Sequence, residues 1–256
     1  FSIMLRVCGR NYFFQLGTKP NNKNSHDYPI VSPPVDLSID TSKLSSYSID
    51  RYHSVLITHD GIIRGTGCNK EGQISGSLEK KTFDHYTEFT IKDRHGRLCK
   101  PISAVCGSSY TLYLVSDPDR PNRSLLAYSF SEIQSDNPII LNTGDKNPIA
   151  LFGSFSNAAA IDSDGSLILI PYTVRKSPNS PLESVFLPNK GEKVIGVACC
   201  QHFIVVLSSS GRVYKSDLPK INFVEVVELF GQGVVDVSGI YDHCFAVCKN
   251  GSVYGY

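Results

Sequence analysis

The chain has 256 residues, of which 41% are apolar, and it carries 25 lysines and arginines against 24 aspartates and glutamates. This balance excludes a surface that as a whole attracts nucleic acid or anionic membrane, so such a partner would need a local patch. Apolar runs are short, as at residues 203–207, and none approaches the roughly 18 to 20 residues of a membrane-spanning helix. The sequence predicts a soluble protein with a large core, in one all-β domain or two smaller ones.

The cysteines are scattered and predict no disulfide framework. They are Cys8, Cys68, Cys99, Cys106, Cys199, Cys200, Cys244 and Cys248. In a chain of this length, scattered thiols are typical core residues of a reducing compartment, so we expect the cytoplasm or the nucleus. Because no C-x-x-C pair is present to start a zinc site, the sequence predicts no metal, and it predicts no cofactor.

Two stretches in the first third carry the same residues at the same spacing: CGRNYFFQLG near the N-terminus and HDGIIRGTGCNKEGQ at residues 59–73. The shared residues are Gly9, Asn11 and Gln15 in the first and Gly67, Asn69 and Gln73 in the second. The second stretch is not a phosphate-binding loop, because Lys70 stands where the G-x-G-x-x-G pattern needs its third glycine. The shared spacing indicates two copies of a repeat.

Further along the chain, four segments join two apolar runs through a turn that ends in glycine. The turn glycines are Gly61, which follows Asp60, and Gly165, Gly211 and Gly251. Such turns favour β-hairpins, because glycine tolerates the positive φ angles of the type I′ turn. The first interval is more than twice each later one, which predicts a fifth hairpin at residues 105–129, interrupted by a polar insertion at 117–124.

Other strands and connections follow the same period. A third β-like run precedes most hairpins, at residues 102–105, 149–152, 194–198 and 234–237. One recurring position of the repeat, which we call the slot, lies eight residues before each turn glycine. It holds His53, Asn157, Phe203 and His243, and Tyr110 is its equivalent in the interrupted copy.

Polar, proline-containing segments without helical periodicity separate the hairpins, at residues 18–34, 76–100, 130–148, 171–193 and 217–223. A period of about 40 to 55 residues with several strands is typical of a β-propeller built from four-stranded blades.

The repeat resembles that of the regulator of chromosome condensation (RCC1-like) family. The matching residues are His53, Asp60, Gly61, Gly67, Asn69, Gly72 and Gln73 in one copy, Cys8 to Gly17 in an earlier copy, and Val105, Cys106 and Gly107 at the head of the next. The resemblance implies an all-β propeller of seven blades. The hairpins account for about five of them, so we expect residues 1–256 to form a single propeller region within a longer chain. Phe14 departs from the pattern, since it replaces a glycine, and Pro171 and Lys215 stand where glycine-rich tails should begin.

The repeated residues are interpreted as structural. Asn157 and Phe203 replace histidine at the recurring slot, and general-base chemistry would not survive that change. The residues assigned to blade structure are His53, Asp60, Gly61, Gly67, Asn69, Gln73, Gly107, Gly165, Gly211, His243 and Gly251. No Ser/His/Asp order or carboxylate pair stands out, so the sequence predicts a protein that is not an enzyme.

Two loops are predicted to bind partners. Residues 91–100, IKDRHGRLCK, hold Lys92, Arg94, Arg97 and Lys100 against one acid, Asp93. Arginine's planar donor fork suits carboxylates or phosphates. The insertion, stiffened by prolines, supplies both signs of charge for recognition. Its charged residues are Asp117, Asp119, Arg120 and Arg123.

These features predict a non-enzymatic scaffold for protein–protein interaction. As an alternative, the resemblance implies guanine-nucleotide exchange on a small GTPase of the Ran type, for which only residues 116–124 could serve as the family's β-wedge. A further alternative that it implies is an adaptor for chromatin or for a ubiquitin ligase. We expect no membrane partner, and nucleic acid only through chromatin.

Overall fold

The computed structural model describes residues 4–18, 22–23, 29–130, 137–171, 174 and 177–256. These residues fold into antiparallel β-sheets without an α-helix, which confirms the predicted all-β class. Short 3-10 turns occur at Thr41–Lys43 and Val227–Leu229. No helix in this part of the chain has the length and apolar character needed to cross a bilayer.

Contacts divide the described residues into two compact units. The first unit extends to Leu141 and includes residues 177–178, and the second holds the rest of the chain from Asn142 to Tyr256. That the whole chain is one propeller region stays a prediction. Parts of two connecting segments, residues 131–136 and 172–176 except 174, lie outside the described residues.

The first unit begins with sheet 1, whose three strands pair in the order β1-β3-β2. They are β1 (Met4–Arg10), β2 (Asn22–Lys23) and β3 (Pro29–Asp40). The sequence predicts a connecting segment over residues 18–34, but β3 begins inside it. Pro33 and Pro34 account for the error, because proline lacks the amide donor of a strand ladder and favours a loop assignment.

Sheet 2 follows, with four strands paired in chain order. They are β4 (Leu44–Ile49), β5 (His53–Thr58), β6 (Ile63–Cys68) and β7 (Thr82–Phe89). A turn at Gly61 joins β5 to β6, as the Asp-Gly pair predicts, but the expected type I′ turn is wrong, because Gly61 has a positive φ and Asp60 does not. The Gly61 N–H donates to the Thr58 carbonyl at 2.9 Å, so the glycine is the last residue of the turn. Strand β7 lies in a predicted connecting segment. Its polar sequence fits an edge strand with one face toward solvent, which hides the strand pattern.

Sheet 3 has the same chain-order pairing. Its strands are β10 (Pro101–Gly107), β11 (Tyr110–Ser116), β12 (Ser124–Ser129) and β13 (Ile139–Ile140). Strands β11 and β12 pair from Thr111 with Ser129 to Ser116 with Ser124. This confirms the interrupted hairpin, and the insertion stands where sheet 2 has its tight turn.

The second unit contains sheets 4, 5 and 6, also paired in chain order. Sheet 4 has β14 (Pro148–Ser154), β15 (Asn157–Asp162), β16 (Leu167–Ile170) and β17 (Ser184–Val185). Sheet 5 has β18 (Val194–Cys199), β19 (Phe203–Ser208), β20 (Val213–Asp217) and β21 (Val224–Glu225). Sheet 6 has β22 (Val234–Ile240), β23 (His243–Cys248) and β24 (Val253–Gly255). Sheets 2 to 6 are the five hairpin-centred blades that the turn glycines predict.

The predicted turn glycines all adopt the left-handed backbone conformation. Their φ angles are +85° at Gly61, +88° at Gly165, +80° at Gly211 and +87° at Gly251. Glycine has no Cβ and reaches this region without strain. The second strands of sheets 2 and 5 are buried along their whole length, in accord with the continuous apolar runs that the sequence has there.

The segment between β6 and β7 of sheet 2 packs against sheet 3. Three hydroxyls of sheet 3 donate to successive carbonyl oxygens of this segment. The pairs are Ser129 Oγ with Gly72 O at 2.5 Å, Thr111 Oγ1 with Gln73 O at 2.6 Å, and Tyr113 Oη with Ile74 O at 2.5 Å. Because all three contacts lie in the core, the repeated segment fixes how these two sheets pack.

The Asn69 side chain holds the same segment from within. Its Oδ1 accepts the Ile74 N–H at 2.9 Å, and its Nδ2 donates to the carbonyls of Ser77 and Lys80 at 2.7 and 2.8 Å. In the N-terminal copy, Asn11 Oδ1 accepts the Leu16 N–H at 3.0 Å. The two copies that the sequence aligns therefore share one hydrogen-bonding geometry.

Phe14 keeps the backbone of the glycine that it replaces. Its φ is +65°, against +62° for Gly72 in the second copy. A bulky residue rarely adopts this conformation, because its Cβ approaches the following carbonyl. The surrounding hydrogen bonds therefore impose the turn on a sequence that locally opposes it.

Candidate functional site

A short hairpin lies between sheets 2 and 3, formed by β8 (Ile91–Lys92) and β9 (Leu98–Cys99). Ile91 pairs with Cys99, and Lys92 pairs with Leu98. Successive side chains of a strand point to opposite faces, so the first pair enters the core of the unit and the second faces solvent. Leu98 is 65% exposed. The outer face of the hairpin thus sets an apolar side chain beside a lysine.

Asp93 closes the turn of this hairpin. Its Oδ1 accepts the N–H groups of His95 and Arg97 at 2.8 and 2.9 Å, and Gly96 takes a φ of +77°. Its Oδ2 accepts the Arg97 guanidinium at 2.8 Å from Nε and 2.6 Å from Nη2. Desolvation opposes ionisation, but these hydrogen bonds outweigh it and lower the pKa of Asp93 to about 2. The carboxylate is therefore engaged within its own turn.

Arg97 also reaches the insertion. Its Nη2 donates to Asp119 Oδ2 at 2.7 Å, and its Nη1 donates to Asp119 Oδ1. The hydrogen bonds to Asp119 and then to Asp93 raise the pKa of Arg97, and the bond from Arg97 lowers the pKa of Asp119. Because this bidentate pair has a fixed geometry, Arg97 joins two loops that the sequence treats as separate sites.

The base of the insertion is held by internal contacts. Asp117 Oδ1 accepts the Asp119 N–H at 2.9 Å, and the Asp117 N–H donates to the Arg123 carbonyl at 2.9 Å. Arg123 Nη1 lies 3.8 Å from Asp117 Oδ2, and both side chains are largely buried. Asp117 and Arg123 therefore support the loop, whereas Asp119 and Arg120 are exposed.

The eight predicted partner-binding residues divide into two groups. Arg97, Asp117, Asp119 and Arg123 are engaged with one another or with Asp93. In the described part of the chain, no acidic side chain lies within 4.0 Å of the cationic groups of Lys92, Arg94, Lys100 and Arg120. Together with Leu98, we call these four exposed cations the cationic turn surface.

Two members of this surface have local contacts that leave their charge unbalanced. Arg94 Nε donates to His95 Nε2 at 3.2 Å. The Lys100 side chain lies across the turn of sheet 2, where a Cβ on Gly61 would be 3.0 Å from Lys100 Cγ. Gly61 therefore leaves room for the lysine stem as well as forming the turn.

His53 is buried and belongs to the contact between sheets 2 and 3. Its Nε2 lies 2.7 Å from Thr111 Oγ1, whose hydroxyl hydrogen goes to the Gln73 carbonyl, so Nε2 donates. His53 Nδ1 has no hydrogen-bond partner among the described atoms. Desolvation lowers the pKa of His53 to about 3, so the ring is neutral near pH 7.

The other slot residues occupy different environments. Asn157 Nδ2 donates to the carbonyls of Cys200 and Gln201 at 2.6 and 2.9 Å, which links sheet 4 to sheet 5. Phe203 packs edge to face with Tyr256, with ring centroids 5.4 Å apart. His243 is exposed. The slot thus serves hydrogen bonding in some sheets and packing in another.

The remaining repeat residues lie at turns and strand ends. Asp60 accepts a hydrogen bond from Thr58 Oγ1, which lowers the pKa of Asp60. Gly107 ends β10, where a Cβ would lie 2.0 Å from Cε1 of Tyr110. The ring of Tyr110 therefore requires glycine at this position.

Two features were not found from the sequence. For Leu98 the sequence gives only a weak indication of exposure, because this residue alternates along strand β9 with the buried Cys99. A groove of about 700 Å³ in the second unit had none, because its walls come from separate strands of sheets 5 and 6; Lys215, Cys244 and Tyr256 contribute to its lining. Within the described residues, no cluster of histidine, cysteine and acidic side chains is placed to hold a metal ion.

No family model matches this sequence, and no curated protein is similar to it in sequence. Solved structures do match. Human WBSCR16 aligns with a TM-score of 0.75 at 13% identity, over 99% of this chain and 74% of that one. Prp20p from Saccharomyces cerevisiae, whose structure was described with its binding to Gsp1p and histones, aligns with a TM-score of 0.71 at 13% identity, over 98% of this chain and 66% of that one.

Yeast RCC1 (Prp20) in a complex with Kap60 also matches, with a TM-score of 0.54 at 12% identity, over 100% of this chain and 80% of that one. At such identities the likeness shows the fold alone. That fold is the RCC1-like β-propeller, so the resemblance seen in the repeats is confirmed at the level of architecture.

Proposed function

We propose that the chain is a non-enzymatic protein-interaction scaffold that binds its partner through the cationic turn surface of the first unit. One observation carries the proposal. Arg97 fixes the β8–β9 hairpin to the insertion, while Lys92, Arg94, Lys100 and Arg120 keep unbalanced charges at the surface. Binding residues concentrate on loops that a rigid scaffold positions, and these loops stand on packed sheets.

Prp20p supports binding of protein partners by a propeller of this kind, since its structure was described with binding to Gsp1p and histones. The cysteines support a reducing compartment. The seven in the part whose side chains are described are all free and buried. We therefore place the scaffold in the cytoplasm or the nucleus.

Affinity enrichment with quantitative mass spectrometry tests the proposal. The full-length protein is compared with Arg94→Ala/Arg120→Ala and with the matched control Lys70→Ala/Lys81→Ala, which removes two exposed cations elsewhere in the first unit. We expect a set of partners to be lost with the first variant and kept with the control. Identical partners for all three proteins would refute the assignment of this surface.

Guanine-nucleotide exchange is the second candidate, favoured by the insertion in sheet 3. Asp119 and Arg120 are its exposed charged residues, and the Arg97 bridge gives it a fixed base, as a wedge would need. Release of fluorescent GDP from a panel of small GTPases distinguishes this function. Acceleration that Asp119→Ala/Arg120→Ala abolishes would establish exchange, and no acceleration across the panel would remove it.

A further inference from the structure

The ion pairs within the β8–β9 hairpin and the insertion leave unpaired positive charge at the surface. All three acids, Asp93, Asp117 and Asp119, are engaged by Arg97 or Arg123. The exposed side chains that remain charged without a counter-ion are basic, and they belong to the cationic turn surface. A partner that supplies negative charge would therefore meet cations that no internal acid neutralises.

The shape of the donors suits an oxyanion, either a carboxylate or a phosphate. Arg94 and Arg120 each present a planar fork that binds a carboxylate at two points, while Lys92 and Lys100 act as point charges. Leu98 stands opposite Lys92 on the exposed face of the hairpin. An apolar side chain of the partner would remove this leucine from water while its neighbours bind charge.

The same features argue against nucleic acid as the partner. Duplex binding depends on phosphate neutralisation, commonly about 6 to 10 contacts, and four cations around a leucine supply fewer. The chain as a whole has a net charge of +1, so there is no general positive field to add to them. An exposed leucine among the cations suits a protein segment better than a sugar-phosphate backbone.

We infer that the cationic turn surface binds an acidic protein segment that carries an apolar side chain among its aspartates and glutamates. This inference rests on the proposed function and names the chemistry of the partner. The partner's carboxylates bind Arg94 and Arg120, and its apolar side chain packs on Leu98. Lys92 and Lys100 add attraction that falls with ionic strength.

Fluorescence anisotropy tests this with the full-length protein and a fluorescein-labelled synthetic peptide of glutamates around a central pair of leucines. We expect saturable binding that weakens with added salt, and a loss of roughly tenfold in Arg94→Ala/Arg120→Ala. The control Lys70→Ala/Lys81→Ala should bind like the unmodified protein. Equal affinity for a peptide with glutamine in place of glutamate would overturn the inference.

Two further probes address its remaining parts. Leu98→Ser should weaken binding of the leucine peptide but not of one with glycines at the centre, and an equal effect on both would refute the apolar contact. A duplex DNA oligonucleotide of matched charge should bind more weakly than the peptide. Tighter binding of DNA that depends on Arg94 and Arg120 would overturn the inference in favour of phosphate recognition.

Failure of the inference is distinguishable from failure of the proposed function. Partners that need this surface but bind through neutral or basic segments would refute the inference and leave the scaffold standing. A surface that no cellular partner needs would refute the proposed function even if the acidic peptide binds.

Discussion

Two neighbouring stretches of the first unit use their polar residues in opposite ways. In the repeat segment after β6, the Asn69 side chain and the carbonyls of Gly72, Gln73 and Ile74 are all engaged in hydrogen bonds within the protein. In the β8–β9 hairpin and the insertion, ion pairs engage some side chains and leave four cations exposed. Repeat residues such as Asn69 therefore hold sheets together, whereas the residues of the two loops include four exposed cations, to which we assign partner binding as a proposal.

The largest effect is expected at Gly67, which has a φ of +112°. A Cβ there would lie 2.5 Å from the Tyr52 carbonyl oxygen and 2.6 Å from His53 Cα. Gly67→Ala should therefore lower the free energy of unfolding by about 4 kcal/mol, from backbone strain together with the clash. Urea denaturation measures the change.

Gly96 in the β8–β9 turn provides the matched control. It also has a positive φ, of +77°, but nothing lies within 4 Å of the position of its Cβ. Gly96→Ala should lower the free energy of unfolding by only about 1 kcal/mol. Equal losses for the two variants would mean that the repeat segment is not the tighter of the two regions.

Protonation of His53 is expected to have the next largest effect. The folded pKa, about 3, lies below the unfolded value of 6.5, so the unfolded chain binds the proton first and stability falls as the pH drops through 6.5 toward 3. Asp50 acts in the opposite sense. Desolvation raises its pKa to about 6, so protonation below pH 6 stabilises the folded chain.

A comparison with His53→Asn separates the two groups, since both proteins keep Asp50. The difference in the free energy of unfolding between them should change by about 3 kcal/mol from pH 7 to pH 4, with the unmodified protein losing more. Urea denaturation across this range measures it. A constant difference would show that His53 is not held neutral by its surroundings.

The next largest effect on stability is expected for Asn69→Ala. It leaves the buried Ile74 N–H without its partner and removes the donors to the partly buried carbonyls of Ser77 and Lys80. We expect a loss of about 2 to 3 kcal/mol in the free energy of unfolding. Lys70→Ala, at the next residue but exposed, should stay within about 0.5 kcal/mol of the unmodified protein. Similar values for both would contradict the role given to the carboxamide.

The smallest effect on folding is expected at Arg97, because its guanidinium and the Asp119 carboxylate are both exposed and solvent screens their ion pair. Arg97→Ala should leave the thermal midpoint nearly unchanged but raise the pKa of Asp93 from about 2, since two hydrogen bonds to its Oδ2 are lost. The backbone amides of residues 95 and 97 still donate to Oδ1, so part of the hydrogen bonding that lowers the pKa of Asp93 remains in the variant. Carboxyl NMR titration would contradict the bridge if the pKa did not move.

Much of the architecture is predictable because the turn chemistry is local. Glycine after Asp, Ser or Asn marks hairpins at Gly61, Gly165, Gly211 and Gly251, and each is present. Strand β3 is not predicted from the sequence, because its prolines disfavour a strand locally. Pairing with β1 holds this segment as a strand in the structure. Phe14 shows the same override, since its backbone follows the repeat and not its own preference.

The candidate site is less predictable because its organisation depends on contacts distant in sequence. The residue types show that both loops are charged. The hydrogen bond from Arg97 to Asp119 spans 22 positions, however, and the local sequence pattern does not predict it. Which cations stay unbalanced follows from that pairing together with the pairs Arg97–Asp93 and Arg123–Asp117. The exposure of Leu98 is predictable from the sequence, because successive side chains of a strand alternate between its faces and the neighbouring Cys99 lies in the core.

Cross-linking mass spectrometry on the full-length protein in cells tests the central claim most directly. Lys92 and Lys100 on the cationic turn surface and Lys70 and Lys81 away from it are all exposed to an amine-reactive cross-linker. We predict cross-links to other proteins at Lys92 and Lys100, and their loss in Arg94→Ala/Arg120→Ala. Intermolecular cross-links that are as frequent at Lys70 and Lys81, or that persist in the variant, would contradict the account.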